Sequence, residues 1–307
     1  MADKLNRIYT LTIQGRTKPQ KTYTIQNPIT CEFDISHEAM GSTSIGHFKL
    51  YNLSTRHQND IYKDLASDGN FPMFMSFAAS YATFPFAPPR IFQGDVKNAY
   101  TYKDGGSPDI ITEIEALDGG DAVAQAHVDY TRAAGWDMTS VAQDLVKLLA
   151  PYNITVGAIS PNLKYSGTRG LTFSGNLWNA IKDIVGGNVV SFIHMGKVYI
   201  MKEGEIFEAP TLVRTINSKN GLIGVPRKQG NIVSFQMLFE PRLMMYQKLT
   251  IDSSILPLVN GDYLLRGLGH LGVISGAVDG GAVTSVKAYM EPNGGFTTIP
   301  TGAATAI

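Results

Sequence analysis

Gly267-Leu268-Gly269-His270-Leu271-Gly272 matches G-x-G-x-x-G by letter, the glycine spacing that lets backbone amides approach a pyrophosphate at a helix N-terminus. That chemistry needs a helix directly after the glycines, whereas Val273-Ile274-Ser275-Gly276 reads as strand or turn. No acidic residue stands in the βαβ frame that a ribose requires, so a dinucleotide site is not expected. The six histidines, at 37, 47, 57, 127, 194 and 270, form no H-E-x-x-H and no pair at helical spacing. Metal ligation would need tertiary convergence; packed or solvated imidazoles are the expectation. Cys31 is the single cysteine and lies in an expected strand with no local base, and the chain has neither a G-x-S-x-G elbow nor a Walker A lysine. Glu113 and Glu115 flank Ile114 on one strand face and are the residue types of glycoside hydrolysis, but a solvated strand face explains them better. Asp104-Gly105-Gly106, Asp118-Gly119-Gly120 and Asp279-Gly280-Gly281 are turn formers before they are calcium loops. These residues lead to the expectation of no enzyme, no cofactor and no metal.

Composition narrows the class further. The 307 residues suffice for two or three domains. Lys+Arg 26 against Asp+Glu 26 gives a formal charge of +0, which argues against sequence-specific nucleic-acid binding. Charged residues make up 17% of the chain, where about 25% is usual. Either this is an apolar-rich β protein, or much of its surface is covered by other subunits. One cysteine excludes an internal disulfide and fits a reducing compartment. MADKLNRIYT lacks an apolar signal core, and no window approaches the roughly 20 apolar residues of a membrane span. A soluble protein without a cleavable signal or a membrane partner is expected.

Ser44 to Asp64 organises the first module. Phe48 and Leu50 alternate with His47, Lys49 and Tyr51 as a strand with one buried face. Ser54 or Thr55 then caps a helix, Thr55 with Gln58 fitting a capping box, and Ile61 and Leu65 give its apolar side. Further strands are expected over 7–13, 21–25, 30–35, 71–77 (after a turn at 68–70), 91–96 and 109–117. The proline-rich run 78–90 should be a loop, because Pro85, Pro88 and Pro89 cannot sit in a central strand. Asp137 is expected to cap a helix with Val141, Leu145, Leu148 and Leu149 on one face, and Ser174 a second with Leu177, Ile181, Ile184 and Val185. A hairpin follows around Met195-Gly196-Lys197. Strands return at 232–239, 247–251, 263–268 and 283–290. The fold class is mainly β with a small α+β domain: β modules at 1–118 and 221–291 enclose an α+β middle at 119–220, and an arm runs over 292–307.

The two β modules look like copies. Phe48-Lys49-Leu50-Tyr51 pairs by pattern with Phe235-Gln236-Met237-Leu238, Ile91-Phe92-Gln93-Gly94 with Leu264-Leu265-Arg266-Gly267, and Thr112 to Ala116 with Thr284 to Ala288. The layout resembles the baseplate hub proteins of contractile and related phage tails and the N-terminal region of type VI secretion spike proteins. FKLYNLS with its helix at 48–64, IFQGD at 91–95, LTFSGNLWNAIKDI at 171–184, and the closing run from Gly230 through LFEPRLMMYQKLTI to GDYLLRGLGHLG carry that resemblance. It implies a virion protein assembled in the host cytoplasm. It also implies a homotrimer whose β-barrels form a pseudo-sixfold ring between a sixfold tail tube and a threefold central spike, with tape measure and baseplate wedge proteins as further neighbours.

Tyr81, Phe84 and Phe86, in the proline-rich loop, and Phe296 and Ile299, in the uncharged arm, are the expected contact residues. The loop either folds onto its own barrel or docks on a partner. Two other classes stay open: a host-adhesion or carbohydrate-binding protein with Trp136, Tyr152 and Tyr165 as sugar platforms, and a small tail-associated hydrolase.

Overall fold

The computed structural model describes residues 6–16, 21–38, 43–62, 73–186, 189–207, 215–276, 280–290 and 295–299. Seven strands come first: β1 (Arg7–Gly15), β2 (Thr22–Gln26), β3 (Cys31–Glu38), β4 (Ile45–Tyr51), β5 (Met73–Tyr81), β6 (Arg90–Lys103) and β7 (Ile110–Leu117), with helix α1 (Thr55–Ile61) between β4 and β5. The middle holds α2 (Gly120–Gln125), β8 (His127–Arg132), β9 (Trp136–Asp137), α3 (Met138–Lys147), β10 (Thr155–Ile159), β11 (Ser166–Gly167), β12 (Leu171–Asn176), α4 (Leu177–Val185), β13 (Val189–His194), β14 (Lys197–Lys202) and β15 (Glu205–Phe207). The chain then returns to strands: β16 (Thr215–Ile216), β17 (Leu222–Gln229), β18 (Ile232–Leu238), β19 (Lys248–Ile251), β20 (Gly261–Ile274), β21 (Ala282–Tyr289) and β22 (Thr297–Ile299).

The fold is mainly β. One sheet runs β17-β18-β21-β20-β3-β4-β7-β6-β5-β1-β2, with β19 on β20 and β16 on β19. Period-two burial makes it: Cys31, Phe33, Ile35 and His37 point inward while Glu32, Asp34, Ser36 and Glu38 do not. Three buried clusters result. Phe33, Phe48, Phe77 and Phe92 centre the first, with Phe48 ring centroids 5.0 Å from Phe77 and 5.6 Å from Phe92. Phe239, Ile274 and Ala282 cross over to join it. Val233, Phe235, Tyr246, Tyr263 and Val286 centre the second, which also takes in Phe192 and Tyr199 from the middle. The third lies between α3, α4 and the three-stranded sheet β10-β14-β13.

Several boundaries differ from the sequence reading, each for a physical reason. Ser54, not Thr55, caps α1, accepting from the His57 N–H, and Gln58 donates to the Leu53 carbonyl at 2.6 Å. Leu65 and the turn at 68–70 lie outside the described residues. Ala78 to Tyr81 belong to β5 and pair with β1, since the prolines begin only at Pro85. Asp137 caps α3 as expected, but Leu148 is 45% exposed and Val146 fills its place in the core. Ser174 stays in β12, bonding Asp129 at 2.7 Å; Asn176 caps α4 instead. Strand β20 continues through all the glycines to Ile274.

Candidate assembly interface

The duplication can be tested pair by pair in the ladders. Phe48 faces Ile114 across β4 and β7, and Phe235 faces Val286 across β18 and β21. Gly46 opposite Ala116 matches Val233 opposite Ala288. Val96 opposite Ala116 matches Leu265 opposite Ala288, and the next ladder step is a bulge in both copies, at Lys97 and at Arg266. Met75 opposite Gly94 matches Leu249 opposite Tyr263. Even the flanking bonds agree, Asp118 N–H to the Ser44 carbonyl and Met290 N–H to the Asn231 carbonyl. Five strands, β3-β4-β7-β6-β5, are therefore repeated as β17-β18-β21-β20-β19 in one register. Two of the three pattern matches read from sequence sit in that register. The third is four residues out: Asp95-Val96, not Ile91-Phe92, stand where Leu264-Leu265 stand. An even slip keeps every side chain on its face, so hydrophobic pattern alone cannot detect it.

The sheet's other face is polar and solvated. Glu113 accepts from the Tyr102 hydroxyl at 3.2 Å, and Glu115 pairs with Lys97 at 2.7 Å. The two carboxylates thus belong to a strand face with partners of their own. Gly267 to Gly272 lie inside β20, bonded to β21 on one side and β3 on the other, so their amides serve ladders rather than a phosphate.

The copies part where the middle unit seats. Asp118, at the end of β7, accepts from the Met195 N–H at 2.6 Å and the Gly196 N–H at 3.1 Å, gripping the β13–β14 turn. Gly196 has φ +68, which a glycine adopts freely. Burial raises the Asp118 carboxyl to about 7 against the pull of those two donors. Asp95, raised to about 6 by burial, accepts from the Asp121 N–H and the Arg16 guanidinium, which also reaches Asp121. Three histidines from three segments converge here. The ring of His37 lies 4.7 Å from that of His194 and 6.5 Å from that of His270, all three buried. His37 Nε2 bonds the Ile91 carbonyl at 3.0 Å and His270 Nδ1 the Thr284 hydroxyl at 3.0 Å, while Nδ1 of His37 and of His194 has no partner in the structure. Burial pushes His37 down to about 4 and, with help from His37, His270 to about 3; His194 is held well below the ordinary range by burial and both neighbours. No group of three His, Cys, Asp or Glu among the described residues is arranged to hold a metal ion. Sequence reading missed this cluster because its members are far apart in the chain; only their inward places on alternating strands hinted at it.

The residues expected at contacts divide sharply by burial. Tyr81 is in the first core, its ring 5.3 Å from Phe84 and 6.0 Å from Phe239. Phe84 packs partly against that core beneath the Arg242 guanidinium, 4.9 Å from its ring, whereas Phe86 is 69% exposed. Ile299 is buried in the second core on β22, which pairs in parallel with β15, and Phe296 packs beside it. The rest of the arm, 292–294 and 300–307, lies outside the described residues. Trp136 and Tyr165 touch at 5.5 Å, with Tyr165 56% exposed, while Tyr152 packs on the third core.

A family model described as Baseplate hub gp41 matches residues 86–271. No curated protein matches the chain. Among solved structures, the 43 kDa tail protein of prophage MuSo2 from Shewanella oneidensis superposes with a TM-score of 0.60 at 8% identity, over 92% of this chain and 96% of that one. A tail protein from Neisseria meningitidis MC58 gives 0.55 at 10% identity, over 93% and 97%. An Escherichia coli type VI secretion component, reported as structurally similar to T4 bacteriophage tail proteins gp27 and gp5, gives 0.57 at 9% identity, over 92% and 78%. At such identities the likeness is one of fold. The matched segment takes in the end of the first five-strand unit, the whole middle and most of the second unit, and on that match the chain belongs to the Baseplate hub gp41 family of phage-tail structural proteins.

Proposed function

We propose that this chain is a structural hub of the tail baseplate: three copies close into a ring, each supplying two like β-barrel modules (1–118 and 221–291) around the middle domain (119–220). A threefold assembly then presents a pseudo-sixfold face. It fits a sixfold tail tube on one side and a threefold central spike on the other, and it surrounds the tail channel. Its partners are two further copies of itself, the tail tube protein and the central spike protein, with tape measure and wedge proteins adjoining. The role calls for no enzyme activity, cofactor, sequence-specific nucleic acid or membrane, and its place is the virion.

One observation supports this reading most strongly, the repetition of five strands in one register inside a continuous sheet. A chain that repeats its own geometry offers each neighbour the same surface twice, which is what matching threefold to sixfold symmetry requires. The residues with reactive potential are spent on structure: the glycines in a ladder, the glutamates in surface pairs, the histidines in a core. Among the expected contact residues Phe86, at 69% exposure, is the one freest to touch a neighbour, with the arm 292–307 as the second contact. Light scattering of the purified chain, 33.4 kDa per copy, is expected to give three copies per particle. A monomer at micromolar concentration would end the proposal.

A further inference from the structure

Strands β6 and β20 hold equivalent places, yet only β20 is paired on both sides along its length. In their first halves they match, β6 on β5 and β20 on β19. In its second half β20 takes β3, with Gly269 opposite Ser36, His270 opposite Ile35 and Leu271 opposite Asp34. The matching half of β6, from Asn98 to Lys103, has β7 as its only ladder partner among the described strands. The equivalent of β3 is β17, which ends the sheet with Ile223, Val225 and Arg227 to Gln229 exposed. One joint is thus made within the chain, and its twin is left open at both halves.

We propose that the open joint closes between copies: the β6 edge of one protomer pairs antiparallel with β17 of the next, Tyr100 opposite Gln229, Thr101 opposite Lys228 and Tyr102 opposite Arg227. This rests on the ring reading above and specifies its seam. The register is not chosen but translated from the internal joint. Tyr100, Thr101 and Tyr102 face Glu113, Thr112 and Ile111 on β7 as Gly269, His270 and Leu271 face Ser285, Thr284 and Val283 on β21. Arg227, Lys228 and Gln229 face β18 as Asp34, Ile35 and Ser36 face β4. Among the described strands these two edges are not paired with each other, and a head-to-tail contact repeated with equal geometry closes a ring rather than a filament when the rotation fits. Charge agrees on the polar face: Arg227, opposite Tyr102, would arrive on the side that carries Glu113, which accepts from the Tyr102 hydroxyl. The cover on the apolar side does not interfere. Segment 239–247, which stands where α1 stands, touches β20 at His270 through Phe239 and still leaves β3 paired.

β17 departs from β3 in one respect. Between Ile223 and Arg227 it carries extra residues, with Gly224 at φ +69 and Pro226 buried. That irregularity confines the pairing to Arg227–Gln229 and spoils the edge for indiscriminate strand addition. Closure in this way also orients the ring. The chain's own cores cover the apolar face of the sheet, so the polar face with Glu113 and Glu115 lines the hollow.

The test is a cysteine pair in the full chain, with the buried Cys31 as a silent background. Opposite residues in an antiparallel ladder bring their Cα atoms to about 4.5–5.5 Å, within disulfide reach. Tyr100→Cys with Gln229→Cys is expected to yield covalently linked trimers on oxidation. Thr24→Cys with Gln229→Cys, which probes the opposite end of the sheet at β2, is expected to yield none. A trimer that links through Thr24, or not through Tyr100, overturns the seam and leaves the ring standing; a monomer overturns both. Should the variants fold poorly, hydrogen exchange of the wild type decides. Alternate amides of 100–103 and 227–229 should exchange at least about 100-fold slower than free chain, and free-chain rates at both edges would overturn the proposal.

Discussion

The two five-strand units, 31–117 and 222–289, share a register but not a setting. The first carries a helix between its second and third strands and two further strands, β1 and β2, beyond its end. In the second the helix is replaced by the turns of 239–247, where Glu240 and Arg242 pair at 2.8 Å. His270 in the second stands where Thr101 stands in the first, and Asp118 where Met290 stands. The repeated part is apolar and periodic; the parts that differ are polar and face the middle unit or an open edge. What is common builds the sheet, and what differs decides what the sheet touches.

The common part should respond alike in both copies, and here the largest effect is expected. Phe48→Ala removes a ring that is fully buried among Phe77 and Phe92, and Phe235→Ala removes its equivalent, 5% exposed. Each should cost about 3–5 kcal/mol in urea unfolding, with Phe48→Ala the larger. A loss confined to one copy would mean that the second sheet is not a core of equal standing.

The unlike part should show itself through pH. His37 is buried and held down to about 4, so between pH 4 and its ordinary 6.5 the unfolded chain binds the extra proton. Stability is therefore whole above 6.5 and declines as pH falls through that window, by about 1.4 kcal/mol per pH unit for the one ring. Asp118 and Asp95, raised by burial, bind protons in the folded state and act in the opposite direction. The useful quantity is then the difference between His37→Phe and wild type, which cancels both carboxyls. Urea midpoints from pH 7.5 to 4.5 should fall less steeply in the variant by one proton. Parallel curves would show that the ring is hydrated in solution.

How far the sequence disclosed this architecture follows from the range of each interaction. The helix after Asp137 was legible because cap, apolar face and stop are local, and the hairpin at Met195-Gly196 for the same reason. Local signals point to Ser174 as the second cap, whereas Asn176 caps α4, because β12 runs on to meet β8 in a pairing that joins Asn176 to His127. The expected strand 263–268 stops before Gly269 and Gly272, whereas β20 runs on to Ile274 because β21 and β3 flank those glycines on both sides. The duplication was visible as a pattern, but its register needed the ladder. Apolar character in a loop or arm marks the expected contact residues, and it does not separate the buried Tyr81 and Ile299 from the exposed Phe86.

The smallest expected difference lies at the shared bulge. Lys97 and Arg266 occupy the same irregular step, but Lys97 is held by Glu115 of its own sheet at 2.7 Å, its side chain 38% exposed. Arg266 stacks on Tyr289 at 4.1 Å and reaches Glu203 of the β14–β15 turn at 3.2 Å, with its side chain 16% exposed. An exposed ion pair contributes under about 1 kcal/mol, and a partly desolvated cation over a ring about 1–2. Lys97→Ala should thus cost little, and that little should vanish at about 1 M salt, while the Arg266→Ala loss should persist there. Equal losses would mean that Glu203 adds nothing and that the bulge is a property of the strand alone. Unequal ones would show that the Tyr289 ring and Glu203 together anchor the bulge of the second copy, a support that the Lys97 step of the first copy lacks.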